Sequence, residues 1–273
     1  MTDYNIDFLI AGLVFLIFLL IHFQRYKKLN NISGRTFWFL IIAGIFDIIF
    51  DLLSSILLVK SNPAYNSWMI FFSTMLYILQ MIVVYIFYNY TQALRHCDED
   101  IRTRNIKIMA VPILCMEVAI VTNVLHKQFF YCNKQGQYVH GKAYLVTYIF
   151  TLICIAAVII NCFINQEEYQ KNELRAIKEF LGVALVCVTI QMKFQSVLMT
   201  GFGLSLGITI LFWALYNPQL YIDSLTGLYS KGYFRRWFPE QIKRKKELHL
   251  LMIDLWKLKQ LISYMELQQE MNC

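Results

Sequence analysis

Charge is scarce in this sequence. Asp, Glu, Lys and Arg make up only 16% of its 273 residues, against about a quarter in a soluble globular domain. Paired cysteines are absent as well. None of the seven cysteines forms a C-x-x-C pair, which argues against a disulfide scaffold or a zinc ribbon. No internal repeat or low-complexity tract is visible, and the composition excludes collagen, coiled coil and a disordered chain. No Lys or Arg precedes Arg25, while Asp3 and Asp7 lie ahead of or at the start of the first apolar run. An acidic leading flank excludes a cleavable signal peptide. No lysine lies in the middle of the last apolar run either, so a retinal Schiff base has no anchor there. What remains is apolar: 58% hydrophobic residues and a mean hydropathy of +0.49. The sequence reads as an integral membrane protein over most of its length.

Seven stretches are long and apolar enough to cross a hydrocarbon core of about 30 Å. They run near Phe8–Phe23, Thr36–Val59, Trp68–Tyr90, Ile106–Leu125, Ala143–Ile164, Ala176–Met192 and Ser196–Tyr216. The sixth is short and opens with Lys178 and Glu179, and the residues after it suffice only for a tight turn. The net charge of +7 flanks the apolar runs and does not form a nucleic-acid patch. Odd-numbered loops carry Arg25, Lys27, Lys28, Arg35, Arg95, Arg102, Arg104, Lys107, Lys171, Arg175 and Lys178. Even-numbered loops carry only Lys60, Lys127, Lys134, Lys142 and Lys193. By the positive-inside rule the N-terminus is expected outside and the C-terminus in the cytoplasm. The expected fold is an all-α polytopic bundle over residues 1–217, followed by a separate α/β segment over 218–273.

In that tail, Asp223-Ser224-Leu225-Thr226-Gly227-Leu228 reads as a turn. Helical spacing follows from Lys231 to about Lys246, interrupted by Pro239. Leu248–Ile253 reads as a short buried strand ending in Asp254, and Leu255 to about Gln269 as a helix. In open α/β sheets, ligands gather beyond the strand C-terminal ends, which is where Asp254 is expected.

These tail residues resemble the start of a GGDEF (diguanylate cyclase) domain, which opens with D-x-L-T-G-L and has a later strand ending in D-x-D-x-F-K-x-I-N-D. The run Asp223–Leu228 matches the first motif in full. Asp254 and Lys259 match the first Asp and the Lys of the second. The resemblance implies a membrane sensor whose intact relatives condense two GTP into cyclic di-GMP, as dimers with Mg or Mn. By the same resemblance Asp254 is a metal ligand and Lys259 a remnant of the phosphate side. The departures are equally specific. Trp256 stands in place of the second Asp and Ile262 in place of the guanine-binding Asn. The residues also end before a GG(D/E)EF motif, so a truncated and inactive domain is expected, one carboxylate being unable to hold a two-metal site.

Three intramembrane carboxylates form a second candidate site. Asp47 and Asp51 lie four residues apart on one helical face, and Glu117 is a possible partner in the fourth span. Such groups are costly in a bilayer and often functional. The alternatives are a cation or proton site and interhelical hydrogen bonding. Residues Phe129–His140 read as a β-hairpin capping the bundle. His126, Cys132 and His140 lack metal-ligand spacing. Gly203-x-x-x-Gly207 marks a close helix approach, within the bundle or across a homodimer. Trp38, Trp68, Tyr216 and Tyr221 read as interfacial or lipid-facing aromatics, and Lys243–Lys246 as a solvated helix end near lipid head groups. The functional expectation is a sensory protein of the cytoplasmic membrane with an incomplete cyclase. A non-enzymatic receptor and a small transporter using Asp47 and Asp51 are the alternatives.

Overall fold

The computed structural model describes residues 6–25, 32–60, 63–133, 137–194 and 197–216, and in the tail 226, 228–232, 234, 238, 242 and 249–252. The chain divides into two units, Met1–Pro218 and Gln219–Cys273.

The regular structure described in the first unit is helical apart from one small hairpin. Its elements are α1 (Asp7–Arg25), α2 (Ile32–Lys60), α3 (Asn66–Leu94), α4 (Glu99–Val121), α5 (Asn123–His126), β1 (Phe130–Cys132), β2 (Tyr138–His140), α6 (Tyr144–Ile164), α7 (Lys171–Lys193) and α8 (Thr200–Tyr216). Successive packing of α1 on α2, α2 on α3, α3 on α6, α6 on α7, α7 on α8 and α8 on α1 closes a ring, and α2 also meets α8. α4 packs on α3, outside that ring.

Among the described residues, four segments are long and apolar enough to cross a membrane: Asp7–Gln24, Ile32–Leu58, Pro63–Leu94 and Tyr144–Ile164. The other three expected spans are helical but fall short for separate reasons. α4 carries Glu99, Asp100, Arg102, Arg104 and Lys107 in its first turns and is broken at Thr122. α7 begins at Lys171, earlier than the hydropathy suggests, and its first half is charged. There the Glu173 carboxylate accepts the Gln170 backbone N–H at 3.1 Å, which satisfies one of the free donors at a helix start. α8 is apolar throughout but only 17 residues long.

Close packing in the bundle depends on small residues. A Cβ on Gly203 would lie 2.6 Å from the Cys187 sulfur, and one on Gly207 would lie 2.5 Å from the Phe180 ring. The G-x-x-x-G face of α8 is therefore spent on α7 of the same chain and not presented to a second copy. Tyr216 corrects another expectation. It is buried at 2% exposure and packs among Phe23, Phe37 and Phe212, because α8 lies between α1 and α7 and this face points inward. Trp68, by contrast, is exposed.

At the end of the bundle where α3 gives way to α4, polar side chains tie the helices together. Arg95 donates to the Glu168 carboxylate and, at 2.7 Å, to Asn165. Gln92 donates to Asn161 at 2.9 Å and accepts from Asn105 at 3.3 Å. Burial is the largest single influence and works against the Arg95 charge, but the hydrogen bond to Glu168 together with the electrostatic attraction of Cys97, Glu168 and Tyr169 outweighs it and holds the guanidinium pKa above its ordinary value.

In the second unit, Thr226 lies in a turn, and Lys231, Gly232, Phe234, Phe238 and Ile242 are helical. Phe234 and Phe238 stack at 5.0 Å, one helical turn apart. The strand expected over Leu248–Ile253 is not seen in its described part. His249–Met252 has no regular structure, and Leu251 and Met252 are 82% and 86% exposed. No described strand lies beside this run, and an extended segment without a ladder partner has little to hold it. Asp223, Leu225, Gly227, Asp254, Trp256, Lys259 and Ile262 lie outside the described residues, as do Lys243–Lys246 and Tyr221.

Candidate functional site

Asp47 and Asp51 are both buried at 6% exposure on α2, and each faces a cavity inside the helical ring. Asp47 lines the larger one, about 130 Å³. Its wall is mostly apolar, with Val83 and Phe87 from α3, Val158 from α6, and Phe180 and Ala184 from α7. Asp51 lines a second chamber of about 90 Å³ with Ser54, Ser55, Ser73 and Tyr77. Gln80, Tyr148 and Gln191 border both chambers, so the two are neighbours separated by a polar partition.

The two carboxylates differ in their partners. Asp51 is hydrogen-bonded by the Ser55 side chain. The Asp47 Oδ1 atom is buried and has no hydrogen-bond partner among the described residues. An unsatisfied carboxylate oxygen in an apolar interior is expensive, so a native structure that keeps one calls for an explanation. Glu117 does not join them. It sits half-buried on α4, lines neither chamber, and belongs to the helix packed outside the ring.

The expected hairpin is present and forms one wall of the polar chamber. β1 and β2 pair antiparallel, with Phe130 opposite His140 and Cys132 opposite Tyr138. Tyr138 and His140 border the chamber. The Tyr138 hydroxyl lies 3.3 Å from that of Tyr77, and the Phe130 ring stacks between those of Tyr77 and Tyr138 at 5.2 and 5.8 Å. Asn123 anchors the hairpin: its Nδ2 donates to the Phe130 carbonyl at 2.9 Å and its Oδ1 accepts the Phe129 N–H at 2.8 Å. Gly141 closes the strand end, where a Cβ would sit 2.0 Å from the Gln128 carbonyl oxygen. Burial pushes the His140 imidazole below its ordinary pKa, and its ring packs against Tyr138 and Tyr144. His126, Cys132 and His140 do not gather into a metal site; no group of three or more such donors occurs among the described residues.

Sequence reading singled out the carboxylates and the hairpin but missed Gln80, Tyr148 and Gln191. The two glutamines were visible as polar residues inside apolar helices, a signal of the same kind as an intramembrane carboxylate. Gln191 has a structural duty too, since its Oε1 accepts the N–H groups of Met199 and Thr200 at 3.0 and 2.8 Å and so caps α8. Its side chain also bonds the Tyr148 hydroxyl.

The sequence matches no protein-family model and no curated protein.

Proposed function

We propose that the chain is a multi-span membrane receptor that holds a small ligand in the Asp47 and Asp51 chambers and passes its occupancy to the cytoplasmic tail. The observation that carries this reading is the Asp47 Oδ1 atom, without a partner among the described residues, facing a mostly apolar cavity. Pockets of this composition, apolar with a few placed polar groups, are the usual form of a small-molecule site.

On this reading the bundle spans a bacterial cytoplasmic membrane seven times, N-terminus out and C-terminus in. The lipid-facing side of α4 supports its inclusion, since Ile108, Val111, Leu114 and Val118 are all exposed and all apolar. The distribution of Lys and Arg among the loops supports the orientation. The hairpin then covers the chambers on the outer side, where a ligand would enter.

The run Asp223–Leu228 supports an output of GGDEF type, the family reaction of which converts two GTP to cyclic di-GMP with Mg or Mn. Trp256 and Ile262 stand where metal and guanine ligands are expected, so this chain is proposed to act without cyclase turnover. Homodimer formation and GTP contact rest on the resemblance alone.

A transporter is the second reading, favoured by the same pair of buried carboxylates. Proteoliposomes loaded with a pH-sensitive dye separate the two. The receptor reading expects proton and cation flux no greater than in protein-free vesicles. Flux that Asp47→Asn and Asp51→Asn abolish would replace it with the transporter.

A further inference from the structure

We infer that the larger chamber is a binding site for an organic ammonium ion, its positive charge paired with Asp47 and its apolar body held by the surrounding wall. As an account of what the receptor senses, this rests on the function proposed above.

A cationic head group would give Asp47 the partner that no described residue supplies. No Lys, Arg or His is among the described residues that line the chamber. The nearest charged neighbour along α2, Asp51, has the same sign and is already engaged with Ser55. Asp47 Oδ1 has no partner among the described residues, and an ammonium N–H brought by a ligand would satisfy it.

The chamber also limits what kind of cation fits. Hard metal ions take about six or more oxygen ligands. Here the oxygens other than Asp47 come from a few scattered side chains, and Gln191 Oε1 already holds two backbone N–H groups. The space of about 130 Å³ is on the order of ten times what a single water needs, and its wall is dominated by Val, Ile, Leu and Phe. Phe87 and Phe180, whose rings stack at 4.1 Å, both line it, and aromatic faces attract ammonium groups. A charged head on an apolar body satisfies the carboxylate and the wall together. The adjoining polar chamber, rich in hydroxyls, offers water or a hydroxylated extension a place beyond the partition.

The test uses the full chain in lipid nanodiscs with two probes of nearly equal shape: phenethylammonium chloride and the neutral 2-phenylethanol. Phenethylammonium is expected to raise the unfolding temperature saturably, and the alcohol to leave it unchanged at equal concentration. Asp47→Asn, which keeps the shape, is expected to weaken ammonium binding by about tenfold or more, as loss of a buried charge pairing should. Ala184→Phe, which fills the chamber, is expected to abolish it. Should either variant fold poorly, the comparison of the two probes on the unmutated chain still decides. Equal stabilisation by the alcohol, no effect of phenethylammonium, or full ammonium affinity in Asp47→Asn would each overturn the inference. Failure of the ammonium with the tail still responding to Ala184→Phe removes only the ligand class; failure of the tail to respond removes the receptor reading itself.

Discussion

Asp47 and Asp51 are one helical turn apart on α2 and open into different chambers, with Asp51 bonded to Ser55 and Asp47 Oδ1 bonded to nothing described. The two positions should therefore respond oppositely to apolar replacement. Asp47→Leu removes an unsatisfied buried group and is expected to stabilise the ligand-free protein by about 1–3 kcal/mol. Asp51→Leu strands the buried Ser55 hydroxyl and is expected to destabilise it. Thermal unfolding in one detergent reads both signs, and destabilisation by Asp47→Leu would show that Asp47 is satisfied after all.

Packing of α7 on α8 has its own test. Gly203→Ala drives a methyl into Cys187 and should cost about 1–3 kcal/mol, the usual range for overpacking. Because the Cys187 Cβ and sulfur both lie 2.6 Å from that methyl, Cys187→Gly in the same chain, which removes both atoms, should recover most of the loss, and Cys187→Ala only part of it. A Gly203→Ala variant as stable as the parent would place that face elsewhere, for example toward a second copy.

Asn123 holds the hairpin by two hydrogen bonds to backbone. Asn123→Ala leaves the Phe129 N–H and the Phe130 carbonyl without these partners, and a loss of about 2 kcal/mol is expected. Asn123→Asp keeps the acceptor and should retain part of the protection. Hydrogen exchange at residues 129–132 and 138–140 measures this locally, apart from unfolding of the bundle.

His140 gives the hairpin a pH dependence whose sign follows from burial. Its pKa is lower folded than unfolded, so the unfolded state binds more protons and stability rises with pH. The hairpin should be at full strength above about 6.5, the ordinary value for histidine, and weaken as pH falls below it. His140→Gln should remove that part of the slope, as read by hydrogen exchange across the pH range.

At the other end of the bundle, Arg95 is buried while the Glu168 side chain is 38% exposed. Solvent screening reduces what the pair contributes. Arg95→Met should cost about 1–2 kcal/mol, more than an exposed pair would and less than a fully buried one. Chemical denaturation of the detergent-solubilised protein checks the value.

Much of the bundle was legible in its sequence because hydropathy reports burial in lipid directly. Helices were expected at all seven apolar runs, and the hairpin followed from residues 129–140. The ends were less legible. α7 begins at Lys171 because Gln170 and Glu173 start it, a local hydrogen bond that hydropathy does not register. Tyr216 was misplaced since its surroundings depend on which helices flank α8, and Glu117 was grouped with Asp47 and Asp51 though α4 lies outside the ring. Both are questions of tertiary arrangement. The chamber itself came from neither motif nor spacing: it needs Gln80, Tyr148 and Gln191, which lie on three helices far apart in the chain. In the tail, the apolar run before Asp254 had the composition of a strand, but composition does not supply a ladder partner, and none lies beside it among the described residues.

Hydrogen exchange of the tail most directly tests the central claim, that occupancy of the bundle chamber is passed to residues 219–273. Ala184→Phe places a ring in the Asp47 chamber and stands in for a bound ligand. In nanodiscs, the account expects altered exchange both in α7 and α8 and in the tail, relative to the unmutated chain. A change confined to the helices lining the chamber, with the tail's exchange unaltered, would contradict it.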